Sequence, residues 1–360
     1  VYCLISSLYL LYLCSMRVLL YPFSVLYAII TNLRNLLFDM GVFPSKTFGI
    51  PIICIGNLSV GGTGKTPLTA YIISVLEGKN MAVISRGYGR NTSGYQEVRT
   101  ESTAENVGDE PLWLKQRHPN CMVVVDENRK RGIENIIKNH PKIEVILLDD
   151  GFQHRRIKAD FNLLITDYNL PYYKDFLLPM GTLRESKKGS ERANIIVVSK
   201  APKLLNPTEK KGIIQQLGVF ITQQCYFSHI HYQDWICLTT NNILITNEKY
   251  SITLVTAIAN ATPLLEMLKN SGHTVTHIKY ADHHHYTLND MENILNNYRQ
   301  DNSAKKLILT TEKDAVKLRK FENELGDANV YYAPIEVGFE EKENFEKQIL
   351  NYVRSNKRNS

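Results

Sequence analysis

The chain has 360 residues, 44% of them hydrophobic, enough to bury a large core and to fill about two domains. Its formal net charge of +6 suits an anionic partner such as a nucleotide, a phosphorylated lipid or an acidic membrane surface; with no RNA- or DNA-binding signature beside it, nucleic acid is not the expected partner. Six cysteines (Cys3, Cys14, Cys54, Cys121, Cys225 and Cys237) lack any C-x-x-C spacing, which argues against a zinc site or disulfide frame and for free thiols in a reducing compartment.

Residues 1–38 carry only Arg17 and Arg34 as charges. The uncharged runs 1–16 and 18–33 are each 16 residues long, roughly 24 Å as helix against a hydrocarbon core of about 30 Å. Neither spans a bilayer comfortably. In the second run Ser24, Ala28, Thr31, Asn35 and Asp39 recur at steps of four and three, so one helical face is small or polar while Leu, Tyr, Phe and Ile cover the rest. That pattern predicts a helix lying in a membrane interface, over a segment 16–48. No basic region precedes the apolar run, which argues against a cleaved signal peptide. The chain begins at Val1, and Met16-Arg17 is a more natural beginning, so residues 1–15 read as a start-site extension.

The segment 49–221 reads as a nucleotide-binding domain. The apolar run Ile52–Ile55 predicts a buried strand, and Leu68–Leu76 has helical spacing. Between them stands Gly56-Asn57-Leu58-Ser59-Val60-Gly61-Gly62-Thr63-Gly64-Lys65-Thr66-Pro67. Strand, glycine-rich turn and helix start are what a phosphate cradle requires, since backbone N–H groups and the helix N-terminus then point at phosphate oxygens. Lys65 would reach the β- and γ-phosphates and the Thr66 hydroxyl would hold Mg²⁺. Ser59 stands where the first glycine of G-x-x-x-x-G-K-[ST] is usual.

Further strands are predicted at Met81–Ser85, Cys121–Asp126, Val145–Leu148, Phe161–Asp167 and Ala193–Lys200, alternating with helical stretches as in an open parallel sheet. Arg86 and Arg90, set among glycines, suit either an anion or a solvated loop. Asp109 reads as the N-cap of a helix with Pro111 in its first turn. Asp149 and Asp150 end an apolar strand in the form of a Walker B element, where a carboxylate orders Mg²⁺ directly or through water. Arg184 and Glu185 lie beside the strand edge where ligands gather.

From about residue 222 the texture changes to Tyr-rich polar strands and then a new αβ pattern. A linker ribbon and a smaller α/β domain are expected over 222–345, with a charged tail at 346–360 that frays at its end. Strands are predicted at Ile252–Thr256, Thr274–Ile278 and Leu307–Asp314, helices at Pro263–Lys269 and from Thr287 onwards. Asp282 and the three following histidines invite a metal reading, but consecutive residues of an extended loop point apart and cannot all grip one ion.

The ordered set GNLSVGGTGKTP, SRGYGR, VGDEP, LLDDGFQHRR, LLPMGTLRE and ADHHHY closely resembles the tetraacyldisaccharide 4'-kinase family, from about Leu19 to the region of residue 340. The resemblance implies transfer of the ATP γ-phosphate to the 4'-hydroxyl of a tetraacylated glucosamine disaccharide 1-phosphate. The setting it implies is the cytoplasmic face of a bacterial inner membrane, with the acyl chains left in the bilayer and no obligate protein partner evident. It assigns the base to Asp109 paired with His283, and metal or phosphate contacts to Asp149, Asp150 and Glu185. Arg129 and Arg184 would face anionic groups, alongside the loop Ser59, Val60, Gly61, Gly62, Thr63, Gly64, Lys65 and Thr66. Two other P-loop classes fit less well: a partitioning-type ATPase carries a lysine where Val60 stands, and guanine recognition by N-K-x-D finds only the lysine in Val198–Pro202.

Overall fold

A computed structural model of the chain describes residues 18–245 and 248–356. The predicted extension 1–15, Cys3 and Cys14 lie outside the described residues. Two compact units interleave: the first takes residues up to 84, 129–229 and from 338 on, the second 85–128 and 230–337. This differs from the sequential division at 221/222. Residues 85–128, expected within the nucleotide-binding domain, join the second unit, and the last helix returns to the first. Two of the crossings fall inside the strands Gln224–Tyr232 and Ile335–Phe339, neighbours in a sheet, which form the ribbon expected near residue 222.

In the first unit six strands run side by side in the order Gln224–Tyr232, Ile195–Ser199, Phe161–Asp167, Ile52–Asn57, Val145–Asp149 and Met81–Ser85, all parallel. Every residue of Ile52–Asn57 and of Val145–Asp149 is buried, as expected of parallel strands covered on both faces. Register sets Ile55 opposite Asp149, so the glycine loop and the paired aspartates leave the sheet at the same carboxyl edge, where open α/β sheets bind ligands.

The charged stretch from residue 346 is folded rather than a loose tail as far as Ser355. Lys342–Ser355 is a helix, and Phe345, Ile349 and Val353, at steps of four, are buried against the first unit. Phe345 stacks on Phe339 with ring centroids 4.2 Å apart. The charges that suggested a tail occupy the outer face; residues 357–360 lie outside the described residues.

The helix Tyr21–Asp39 reverses the usual amphipathic arrangement. Its polar stripe is the docked face: Ser24 and Thr31 are buried, whereas Phe23, Leu26, Ile29, Ile30 and Leu33 are each more than half exposed. Ser24 Oγ donates to the Leu177 carbonyl at 3.0 Å and accepts from Met180 N at 3.0 Å. Tyr27 donates to the Arg184 carbonyl at 2.9 Å and Asn35 to Glu185 Oε2 at 3.0 Å. Arg155 reaches the Asn35 carbonyl at 2.9 Å and the Asp39 carboxylate at 2.5 Å. Among the described residues no helix is long and apolar enough to cross a membrane.

The second unit holds a six-stranded sheet in the order Ile243–Leu244, Trp235–Cys237, Val330–Ala333, Lys306–Thr311, Ser251–Thr256 and Thr274–Lys279. Alternation along its central strands divides two cores. Leu307 and Leu309 join Ile252, Leu254 and the helix residues Leu264 and Leu268 on one face, while Ile308 and Val255 join Met291, Ile294 and Leu318 on the other. Residues 312–314, expected to continue a strand, instead open the helix Glu312–Leu318, which Thr311 caps by accepting from Asp314 N at 3.1 Å. Thr287 starts the helix Leu288–Gln300 through a reciprocal capping box with Asp290, as expected. The helix Asp109–Arg117 also belongs to this unit, tied to the Glu312 helix by Arg117 to Glu312 at 2.7 Å and Lys313 to Glu110 at 3.2 Å.

Candidate active site

Chemistry-bearing residues gather in two clusters, one in each unit. In the first unit Gly64, at φ +90°, is the N-cap of the helix Lys65–Val75. That left-handed backbone favours glycine, and it turns the loop so that Lys65 and Thr66 open the helix, where free N–H groups and the helix dipole suit phosphate. The loop is braced from several sides. Asn57 Nδ2 donates to Thr63 Oγ1 at 2.8 Å and Ser199 Oγ to the Thr63 carbonyl at 2.7 Å. Lys200 Nζ, ion-paired with Asp167 at 2.7 Å, donates to the Gly62 carbonyl at 2.5 Å. Ser59, standing for the usual first glycine, forms a bridge to Leu183, and Val60 N donates to the Thr182 carbonyl at 2.8 Å.

The predicted Walker B pair lies beside this loop with its members in different surroundings. Asp149 is buried and accepts from Thr69 Oγ1 at 2.9 Å. Asp150, at φ +47°, faces Arg184 at 2.8 Å and Lys65 at 3.8 Å. Burial pushes the Asp150 carboxyl up; the Lys65, Arg184 and Arg129 charges override it and hold it down at about 2. Arg184 also donates to Asn57 Oδ1. Arg129 is buried at the start of the helix Arg129–Asn139.

Glu185, expected among the metal contacts, is 1% exposed. Arg192 donates to both of its oxygens at 2.9 Å, Gln153 to Oε1 at 3.0 Å and Asn35 to Oε2 at 3.0 Å. So many donors leave this carboxylate as a buttress between the 177–185 segment and the N-terminal helix rather than a group offered to an ion. Gln153 and Arg192, which hold it, were not singled out from the sequence.

In the second unit His283 Nδ1 lies 3.0 Å from Asp109 Oδ2, across 174 residues of chain. Asp109 is not the N-cap expected; it is the first helical residue, and Gly108 caps at φ +91°. A Cβ at Gly108 would meet the Tyr88 carbonyl oxygen at 2.9 Å, so close approach and backbone both require glycine there. His283 itself sits at φ +60°, a left-handed conformation that costs a bulky residue about 1–3 kcal/mol and persists where neighbours impose it. Its N–H bonds to the Ala257 carbonyl at 3.2 Å, and the Tyr88 ring meets the imidazole edge-on with centroids 5.6 Å apart. Burial pushes the Asp109 carboxyl up, but the His283 hydrogen bond and the Lys317 and Lys313 charges prevail and lower it to about 2. An ionised carboxylate that holds an imidazole can accept a hydroxyl proton with the histidine sharing it.

His284 turns to a different partner, Asp290, at 3.0 Å, as consecutive residues of an extended loop should. Among the described residues no group of three or more His, Cys, Asp or Glu side chains could hold a metal ion. Arg90 pairs with Glu127 at 2.6 Å while Arg86 is exposed.

The family described as tetraacyldisaccharide-1-P 4'-kinase matches residues 16–354. The tetraacyldisaccharide 4'-kinase of Bacteroides thetaiotaomicron is 41% identical, covering 95% of this chain and 94% of its own. That of Flavobacterium johnsoniae is 41% identical over 95% and 98%. Among solved structures, LpxK from Aquifex aeolicus in complex with ATP superposes with a TM-score of 0.74 at 29% identity, over 94% of this chain and 99% of that one. With identity of this order along nearly its whole length, the chain belongs to the tetraacyldisaccharide-1-P 4'-kinase family.

Proposed function

We propose that this kinase transfers the γ-phosphate of ATP to the 4'-hydroxyl of a tetraacyl glucosamine disaccharide 1-phosphate in lipid A biosynthesis, with Asp109 and His283 accepting the hydroxyl proton. The single observation that carries the residue assignment is the 3.0 Å contact of His283 Nδ1 with Asp109 Oδ2. The Lys65 loop of the first unit would cradle the triphosphate, and Lys65, Arg184 and Arg129 would face its negative charge. Thr66, Asp149 and Asp150 are hard oxygen donors of the kind Mg²⁺ takes, two carboxylates and a hydroxyl completed by phosphate oxygens and water. A bound Mg²⁺ would neutralise charge on the phosphates. Asp109, ionised in its buried site, orients the hydroxyl oxygen and draws off its proton, which ends on the Asp109–His283 pair. Incubation with γ-labelled ATP, Mg²⁺ and lipid A precursor in detergent should place one labelled phosphate at the 4'-position. An unlabelled lipid, or label elsewhere on the sugar, would overturn the reading.

The same proposal sets the chain at the cytoplasmic face of the inner membrane. Phe23, Leu26, Ile29, Ile30 and Leu33 point outward from a helix whose polar side is docked, and each, a little over half exposed, would gain roughly 1–2 kcal/mol on full burial. The double variant Ile29→Glu, Leu33→Glu changes only exposed positions, so its melting temperature should match that of the unaltered protein. Its co-sedimentation with phosphatidylethanolamine/phosphatidylglycerol vesicles should be lost. Undiminished co-sedimentation would remove this face from membrane contact.

A further inference from the structure

The helix Glu312–Leu318 presents two lysines to the Asp109–His283 pair. Lys317 Nζ lies 3.4 Å from Asp109 Oδ2 and 3.7 Å from Asp314 Oδ1, and donates to the His284 carbonyl at 3.1 Å. Its side chain is 3% exposed. Lys313 Nζ lies 3.3 Å from His283 Nε2 and 3.2 Å from Glu110 Oε1. Asp314, wholly buried, accepts from Ala257 N at 3.0 Å and Thr311 Oγ1 at 2.7 Å, which fixes the carboxylate behind Lys317. The Tyr286 ring closes the remaining side, 5.8 Å from the ammonium.

Lysine is almost never fully buried unless paired, and a buried ion pair is poor evidence of stability, since packed apolar groups of the same volume often serve as well. The ammonium here touches the same Asp109 oxygen that faces His283. We infer that Lys317 is a positioning residue for the phosphoryl transfer, its charge locking the Asp109 carboxylate onto His283 and keeping the pair free of protons until the sugar hydroxyl arrives. The inference rests on the reading of Asp109 and His283 as the proton-accepting pair. Lys317 and Lys313 both oppose a proton on that pair, whichever member would carry it. They cost the carboxylate some basicity, and in exchange hold it ionised and in place against the imidazole.

Two variants separate charge from shape. Lys317→Gln can still donate to Asp109 and to the His284 carbonyl but carries no charge; Lys317→Arg keeps the charge. In Lys317→Gln, kcat should fall about tenfold or more while the KM for ATP changes less than about twofold, because the nucleotide loop belongs to the other unit. With the cation gone the pair takes up its proton more readily, so the acid limb of kcat/KM should move to higher pH by about one pH unit. In Lys317→Arg the limb should stay in place. A folded Lys317→Gln protein, checked by thermal melting, whose acid limb is unmoved overturns the inference even if kcat drops, since a merely structural lysine would behave so. If Lys317→Gln does not fold, Lys317→Met decides: an apolar side chain of similar length removes the charge, so the limb should likewise move to higher pH, and an unmoved limb overturns the inference. Asp109→Ala is measured alongside. Wild-type turnover there defeats the pair itself, whereas slow turnover there with an unaltered Lys317→Gln protein defeats only the role of Lys317.

Discussion

Asp109→Ala is expected to lower kcat by about two to four orders of magnitude, the usual range for loss of a positioned general base, while the KM for ATP stays within about twofold. By transition-state arithmetic that is about 3–5 kcal/mol of barrier. The expectation follows from the division between the units. The nucleotide loop is braced by Asn57, Ser199 and Lys200 of the first unit, and Asp109 has its partners, His283 and Lys317, in the second. Removing its carboxylate takes one of two acidic partners from Lys317, leaving Asp314 at 3.7 Å, and opens a buried gap, so some loss of melting temperature will accompany the change. Asp109→Asn keeps the side-chain volume and separates the two effects: it should restore much of the stability and little of the turnover. Near-normal turnover in a folded Asp109→Ala protein would show that another group takes the proton.

Half of that site could be read from the chain and half could not, for physical reasons. The P-loop, the Asp149–Asp150 pair and the order of parallel strands are local: each is a short apolar run followed at once by the residues it delivers, and register alone carries Ile55 and Asp149 to the same edge. Asp109 and His283 stood out only through resemblance, since nothing local says that residues 174 positions apart will meet. Nothing local marks Lys313 and Lys317, because Leu307–Asp314 reads as one strand. The Thr311 cap ends that strand and starts a helix, and only helical spacing brings both lysines to one face. The placement of residues 85–128 in the second unit is likewise invisible in chain order.

The N-terminal helix shows the same limit from the other side. The repeat of Ser24, Ala28, Thr31, Asn35 and Asp39 is legible, and so is the apolar remainder. What the stripe docks against is not: it grips the 177–185 segment, whose Arg184 turns to Asp150 and Asn57 and whose Thr182 carbonyl holds Val60 of the loop. Glu185 sits where these lines cross, bound by Asn35, Gln153 and Arg192. The polar face that looked like the water side of an interfacial helix is an anchor to the nucleotide-binding unit, which leaves the apolar face as the free one.

Lys65→Ala should damage both binding and turnover, unlike the change at Asp109. Lys65 opens the helix that follows the glycine turn, and its side chain is only 13% exposed, with Nζ 3.8 Å from Asp150 Oδ1. A charged hydrogen bond to phosphate contributes about 1.5–3 kcal/mol, or roughly tenfold to a hundredfold in ATP affinity. Charge that grows on the transferring group in the transition state makes the same ammonium worth more there, so kcat falls as well. The change also removes a cation that holds the Asp150 carboxyl at about 2, leaving Arg184 and Arg129 to oppose burial. Lys65→Arg is not a conservative remedy, because a planar fork does not replace a compact ammonium inside a tight loop. Titration of a fluorescent ATP analogue together with steady-state turnover reads both effects. A Lys65→Ala protein that binds nucleotide as tightly as the unaltered chain, or turns over as fast, would place the phosphates somewhere other than this loop.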